Sequence, residues 1–263
     1  MVRLYTKDLN IGYHEHLIVK NLNIEIPDQK ITAIIGPNGC GKSTLLKAMT
    51  RIIAPQSGTV VLDGKQIFHE NTKILARKMA ILPQTPESPG GLTVGELVSY
   101  GRFPYQKGFG HLTKKDYEVI DWALEVTGTI EFKHRPVDSL SGGQRQRVWI
   151  AMALAQETDI IFLDEPTTYL DMAHQLEVLE LLQKLNVEQG RTIVMVLHDL
   201  NQAARFADYI IALKDGKIVK AGNGEEVMTR DVLKQVFHID AEIGRDPRTN
   251  KPICITYHLW KGE

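Results

Sequence analysis

Ile31 to Ile35 is a short apolar run that opens directly into Gly36-Pro37-Asn38-Gly39-Cys40-Gly41-Lys42-Ser43-Thr44. The run reads as a buried strand, and Thr44 to Thr50 reads as the first turns of a helix. Strand, glycine loop, Gly-Lys-Ser and helix together form the pattern of a phosphate-binding loop. The residue types follow from that task. Gly36, Gly39 and Gly41 permit backbone torsions that a side chain would forbid, so successive N–H groups can turn inward onto an anion. The helix start adds the positive end of its dipole at the same place. Lys42 can reach the β- and γ-phosphates of a nucleotide, and the Ser43 hydroxyl can ligate Mg²⁺. An incidental glycine-rich turn would account for the glycines, but not for Lys42-Ser43 between a strand and a helix.

A chain of 263 residues with 43% apolar residues can bury a substantial core. It fits one domain, or one domain with an inserted lobe. With 31 Lys and Arg against 32 Asp and Glu, the formal net charge is −1. No global positive field would draw it to nucleic acid or to an anionic membrane. Cys40 and Cys254 make no disulfide framework, which favours a reducing compartment. Met1 to Asp8 lacks the apolar core of a signal peptide, and no stretch approaches the roughly eighteen apolar residues of a membrane span.

Taken in order, Leu4 to Tyr13 and Val19 to Ile26 read as strands. Tyr13 ends the first; its ring could stack on a base or simply pack, since aromatics are frequent in strands. Gly58 to Gly64 reads as a strand entering an Asp-Gly turn, with Ile67 beginning the return. Lys73 to Lys78 reads as a short helix and Ala80 to Leu82 as a strand stopping at Pro83-Gln84. Thr85 to Gly91 is rich in Pro, Gly and Ser, as expected where a chain leaves one lobe for another. Thr93 to Tyr100 and Thr113 to Val126 read as helices. The aromatics between them, Phe103, Tyr105, Phe109 and His111, suit either local packing or a docking surface.

Ser141 is a natural N-cap for a helix over Arg145 to Gln156, so Ser141-Gly142-Gly143-Gln144 places a second glycine loop at a second helix start. An ordinary capped helix is physically adequate there. Ile160 to Leu163 reads as a strand buried on both faces and ends in Asp164-Glu165. Carboxylates beside a phosphate loop can hold Mg²⁺ and face an attacking water. Adjacent strand residues point opposite ways, so the two acids can divide that work. Asp171 begins a long helix closed by Gly190. Thr192 to Leu197 is another buried strand, ending at His198, where ligands of open α/β sheets bind. Tyr209 to Ala221 reads as a hairpin, two short helices follow, and Ala241 to Tyr257 could form a terminal hairpin of unassigned role.

Leu140-Ser141-Gly142-Gly143-Gln144 resembles the signature of the ATP-binding cassette (ABC) family. The order phosphate loop, Gln84, signature, Asp164-Glu165, Asp171, His198 fits that family too, over Tyr13 to about Ala221. Gly101-Arg102-Phe103-Pro104-Tyr105, Tyr169 to Gln175 and His198 to Ala203 resemble the branch that powers importers of iron–siderophore complexes, cobalamin and haem. The resemblance implies an α/β fold: a P-loop NTPase core with a mixed sheet, an antiparallel β subdomain and an inserted helical subdomain. In one domain, about 1–84 and 157–240 would be β lobe and core, about 85–156 the helical lobe with the signature, and about 241–263 a tail.

It also implies ATP and Mg²⁺ as cofactors. Tyr13 would stack on adenine, and Gly36 to Thr44 would hold the phosphates. Ser43, Gln84 and Asp164 would serve the metal, Glu165 would be the general base and His198 the γ-phosphate sensor. Two copies would pair head to tail, so that Ser141, Gly142, Gly143 and Gln144 of one close the ATP site of the other and Asp171 couples the two. Implied partners are permease subunits in the membrane and, through them, a substrate-binding lipoprotein, with this chain on the cytoplasmic face of a bacterial membrane. Ferric hydroxamate leads as cargo; cobalamin, haem or another metal chelate is the alternative. Thr168 departs from the serine common in the family. A soluble cassette acting on ribosome or DNA would usually carry two cassettes or long insertions, and here there is one phosphate loop and no basic bias. A P-loop kinase or GTPase would have no use for Leu140 to Gln144.

Overall fold

The computed structural model describes residues 2–14, 16–84, 86, 89–106 and 111–262. Up to Glu70 the chain forms β1 (Leu4–Tyr13), β2 (His16–Leu22), β3 (Glu25–Ile26), β4 (Ile31–Ile35), α1 (Lys42–Met49), β5 (Ser57–Leu62) and β6 (Lys65–Gln66). From Asn71 to Arg191 follow α2 (Thr72–Ala76), β7 (Met79–Leu82), α3 (Val94–Ser99), α4 (Lys114–Val126), α5 (Gly142–Ala155), β8 (Ile160–Asp164) and α6 (Met172–Gln189). The last stretch holds β9 (Thr192–Val196), α7 (Leu200–Phe206), β10 (Tyr209–Lys214), β11 (Lys217–Gly222), α8 (Gly224–Val227), α9 (Arg230–Phe237), β12 (Ile239–Arg245) and β13 (Pro252–Leu259). The first and last stretches make one compact unit, and the middle stretch makes a second.

In the first unit β1 is the hub of an antiparallel sheet, pairing with β2, β3 and β5, and β5 turns at Asp63-Gly64 into β6. The mixed sheet is built on β4, which runs parallel to both β9 and β10, while β11 is antiparallel to β10. Every residue of β4 and β9 is buried, as their unbroken apolar character requires of strands covered on both faces. The tail is the expected hairpin, β12 antiparallel to β13. It is bound to α7: Asn201 and Cys254 exchange two hydrogen bonds of 2.8 and 3.1 Å, and Lys251 Nζ donates to the Arg205 carbonyl at 2.7 Å.

In the second unit β7 and β8 are parallel, with Leu82 opposite Leu163. Helices α3, α4 and α5 pack on one another, and Thr93 and Thr113 start α3 and α4 with capping boxes. Val148, Ile150, Ala151 and Leu154 form the buried face of α5. Arg102 is 2% exposed and bonds Asp116, Glu157 and the Ala155 carbonyl, with its guanidinium 4.1 Å from the Tyr105 ring centre. That cluster pins residues 100–105 as a 3₁₀ helix.

Three local expectations need correction. The second strand starts at His16, earlier than Val19, and breaks after Leu22, because Ile24 turns to bond Thr6 through both its N–H and its carbonyl. The return after Asp63-Gly64 is Lys65–Gln66, and Ile67 already belongs to a 3₁₀ turn. Glu165 is not a strand residue: its φ of 54° puts it in the left-handed region just past β8. The aromatic loop divides. Tyr105 packs locally, its hydroxyl donating to the Gln156 carbonyl at 3.0 Å, whereas Phe103 is 66% exposed. Phe109 and part of Thr85 to Gly91 lie outside the described residues. Among the described residues no helix is long and apolar enough to cross a membrane.

Candidate functional site: a phosphate cradle and a carboxylate cluster

The first unit holds the phosphate loop. β4 delivers Gly36 from the core, and the loop closes on α1 through Gly41, whose φ of 105° is open to glycine at little cost. The Gly41 carbonyl accepts from Leu45 at 2.8 Å, so the helix begins directly at the loop. Lys42 is buried, and its ammonium donates to the carbonyls of Gly36 at 2.9 Å and Pro37 at 3.0 Å. The lysine thus lies along the loop it follows, with its charge satisfied by dipoles that an arriving phosphate would outcompete. Asn38 and Gly39 are exposed at the rim, while Ser43 and Thr44 are half-buried in the first turn of α1. Cys40 faces inward; burial pushes its thiol up, against a smaller downward pull from Lys42.

β9 lies parallel to β4 with Val196 opposite Ile34, and the Leu197 N–H donates to the Ile34 carbonyl at 3.1 Å. His198 therefore leaves the same sheet edge as Gly36, at the carboxyl ends of neighbouring parallel strands. It is exposed there, and Asp199 next to it caps α7 by accepting from Gln202 at 2.8 Å. Tyr13, at the end of β1, is 47% exposed.

The second unit holds the carboxylates. Because β7 and β8 end in register, Gln84 and Glu165 emerge side by side. Gln84 Nε2 donates to Glu165 Oε2 at 2.5 Å, and Thr168 Oγ1 donates to the same oxygen at 3.0 Å. Asp164, the last residue of β8, is buried at 3% exposure. The left-handed turn at Glu165, rather than strand alternation, separates the two acids. Asp171 caps α6 by accepting the His174 N–H at 3.0 Å. That bond, then the His174 ring, hold its carboxyl below the usual carboxylate range. Ser141 caps α5 in a full capping box with Gln144, and Ser141 and Gly142 are exposed at that helix start.

In the second unit the carboxylate of Asp164 and the amide oxygen of Gln84, whose nitrogen is engaged by Glu165, are ligand types that suit a hard cation, and in the first unit the Ser43 hydroxyl is a ligand of the same kind. Among the described residues no cluster of three or more His, Cys, Asp or Glu stands ready for a metal. Sequence reasoning passed over two contributors, His174 and the role of Thr168. Thr168 sits three residues after Glu165, a spacing that only the left-handed turn converts into contact.

A glycine loop of this kind, closing a buried parallel strand onto a helix start at the carboxyl edge of a mixed sheet, places the chain among the α/β P-loop nucleoside triphosphatases. Comparisons narrow the class. The family model described as ABC transporter matches residues 19–168. The iron(3+)-hydroxamate import ATP-binding protein of Bacillus subtilis is 64% identical over 100% of this chain and 98% of its own length. The ferric enterobactin transport ATP-binding protein of Escherichia coli is 48% identical over 97% of this chain and 94% of its own. A dimeric solved structure of a bacterial ABC transporter cassette superposes with a TM-score of 0.74 at 32% identity, covering 84% of this chain and 98% of that one. The chain belongs to the ABC transporter family: it is an ATP-binding cassette that binds and hydrolyses ATP.

Proposed function

We propose that this cassette energises uptake of iron–siderophore complexes, ferric hydroxamate foremost, through a separate membrane permease fed by a substrate-binding lipoprotein. The chain would work at the cytoplasmic face of a bacterial membrane. What supports the cargo most is the 64% identity to an iron(3+)-hydroxamate import ATPase over the whole chain. Hydrolysis is supported by the paired donors on Glu165, which aim one carboxylate as a general base.

The residue roles follow from the two clusters. Tyr13 stacks on adenine. Gly36, Asn38, Gly39, Cys40 and Gly41 supply backbone donors, Pro37 shapes the loop without an N–H of its own, Thr44 stands in the turn behind them, and Lys42 leaves its two carbonyls for the β- and γ-phosphates. Ser43, Asp164 and Gln84 hold Mg²⁺, which supplies charge neutralisation on the phosphates. Glu165 takes the proton of the attacking water, and His198 donates to the γ-phosphate. Two copies pair head to tail, so the exposed Ser141-Gly142 start of α5, with Gly143 and Gln144, meets the partner's nucleotide and Asp171 couples the sites. Within the one domain we assign about 85–156 to a helical lobe, about 1–84 and 157–240 to β lobe and core, and about 241–263 to a tail.

The test is genetic. Deleting the gene and measuring iron-limited growth on hydroxamate and catecholate siderophores, with haem and cobalamin controls, should abolish hydroxamate use alone. Wild type should restore it. Glu165→Gln, slowed at least about a hundredfold in turnover, should not. Intact hydroxamate use, with growth lost instead on cobalamin or haem, would transfer the proposal to that cargo.

A further inference from the structure

Two segments of the second unit, the Asp171 turn and the start of α5, are joined by one side chain. Asp171 Oδ1 accepts the His174 N–H at 3.0 Å and lies 2.8 Å from His174 Nδ1, so the ring is held with Nδ1 as donor. The ring's other side covers Gly143. A methyl group at Gly143 would overlap His174 Cδ2 and sit 2.8 Å from Cγ. The space of a side chain at 143 is therefore already filled by His174. Gly142 differs: a methyl there would meet nothing nearer than Leu170 Cδ2 at 4.0 Å. A side chain at 143 would push the His174 ring aside, whereas one at 142 would not touch it. One turn further along the same face of α6, Glu177 takes a 3.0 Å bond from Arg147 of α5, a second rung beside the first. Gln175 Nε2 donates to the Leu170 carbonyl at 2.9 Å and ties the turn's backbone to the helix.

We propose that His174 is a positioning residue for ATP turnover: its ring clamps the Asp171 turn to the Gly143 end of α5, so that the two shift as one piece. Asp171 cannot move without pulling the ring, and the ring cannot move without uncovering Gly143. The clamp is a property of one chain. Its consequence for turnover rests on the paired-copy reading above, in which both segments face the second copy.

Hydrogen exchange on the nucleotide-free full chain tests the clamp. His174→Ala should speed exchange about tenfold in both 141–147 and 168–175. His174→Asn, which keeps a donor for Asp171 but no ring, should restore only 168–175. Gly143→Ala, which displaces the ring, should loosen 168–175 although Asp171 and His174 are unchanged. An effect of His174→Ala confined to 168–175, or no effect of Gly143→Ala there, overturns the clamp. Turnover tests the consequence: His174→Ala should lower kcat about tenfold while ATP affinity stays at the wild-type value. Unchanged kcat overturns a role in turnover, and lost ATP affinity overturns a role confined to positioning. If a Glu165→Gln chain with native His174 stays monomeric in ATP, the paired-copy reading and the turnover role fall together, and exchange alone decides the clamp.

Discussion

Thr168→Val separates the two donors that share Glu165 Oε2. Valine keeps the volume and branching of threonine and removes only the hydroxyl that reaches the carboxylate at 3.0 Å. Gln84 still donates from the other side at 2.5 Å, so the carboxylate is not released but loses one of its two guides. A hydrogen bond to a charged group contributes about 1.5–3 kcal/mol when buried. Glu165 and Thr168 are only half-buried, so about 1 kcal/mol is the appropriate share here. If the bond orients the base in the transition state, that loss lowers kcat about fivefold. Thr168 is far in sequence and role from the phosphate loop, so KM for ATP should not change. Thr168→Ser retains the hydroxyl and should hold kcat within about twofold of wild type. Steady-state phosphate release against ATP concentration reads both constants. A wild-type kcat for the valine variant, or an equal fall in the serine variant, would refute the reasoning that the hydroxyl aims the base.

Lys42→Ala removes the buried ammonium that spans the Gly36 and Pro37 carbonyls and should weaken ATP binding by at least about tenfold, read by equilibrium titration with a fluorescent nucleotide. Unchanged affinity would contradict the cradle. Maleimide should label Cys40 slowly at neutral pH, since burial raises its thiol, and ATP should slow it further while Cys254 labelling stays constant. Burial pushes the Asp116 carboxyl up, but hydrogen bonds from Thr113 and Arg102 outweigh it and leave the folded-state pKa lowered. Its contribution is therefore present above the unfolded value of about 3.9 and lost as pH falls through the lower folded value. Asp116→Asn should flatten that acid limb in urea denaturation from about pH 5 downwards. Arg102→Met, which strands buried Asp116, should cost about 3–5 kcal/mol at neutral pH by the same assay.

Elements whose cause is local were legible in the chain. Ile31–Ile35 and Thr192–Val196 are wholly buried strands because their apolar runs admit no exposed face, and Ser141 and Thr113 start helices and Gly190 ends one where their capping chemistry says they should. The phosphate loop was readable for the same reason: its glycines and lysine act on their immediate neighbours. What the sequence hid depends on two distant segments meeting. Glu165 acquires Gln84 as a donor from 81 residues away, only because β7 and β8 end in register. His174 looks like one more polar helix residue until the Gly143 position, 31 residues earlier, is seen beneath its ring. The left-handed turn at Glu165 was also invisible, since nothing in Asp-Glu-Pro-Thr announces a positive φ at a glutamate.

The hairpin of β12 and β13 is bolted to α7 by Asn201, Cys254 and Lys251, and α7 begins two residues after His198. A chain cut before Lys251 would hand the Arg205 carbonyl and the Asn201 amide back to water and leave the helix behind the histidine free to fray. Selection on ATP turnover therefore reaches the tail indirectly, and a tail variant found where the cassette fails belongs among the candidates for cause.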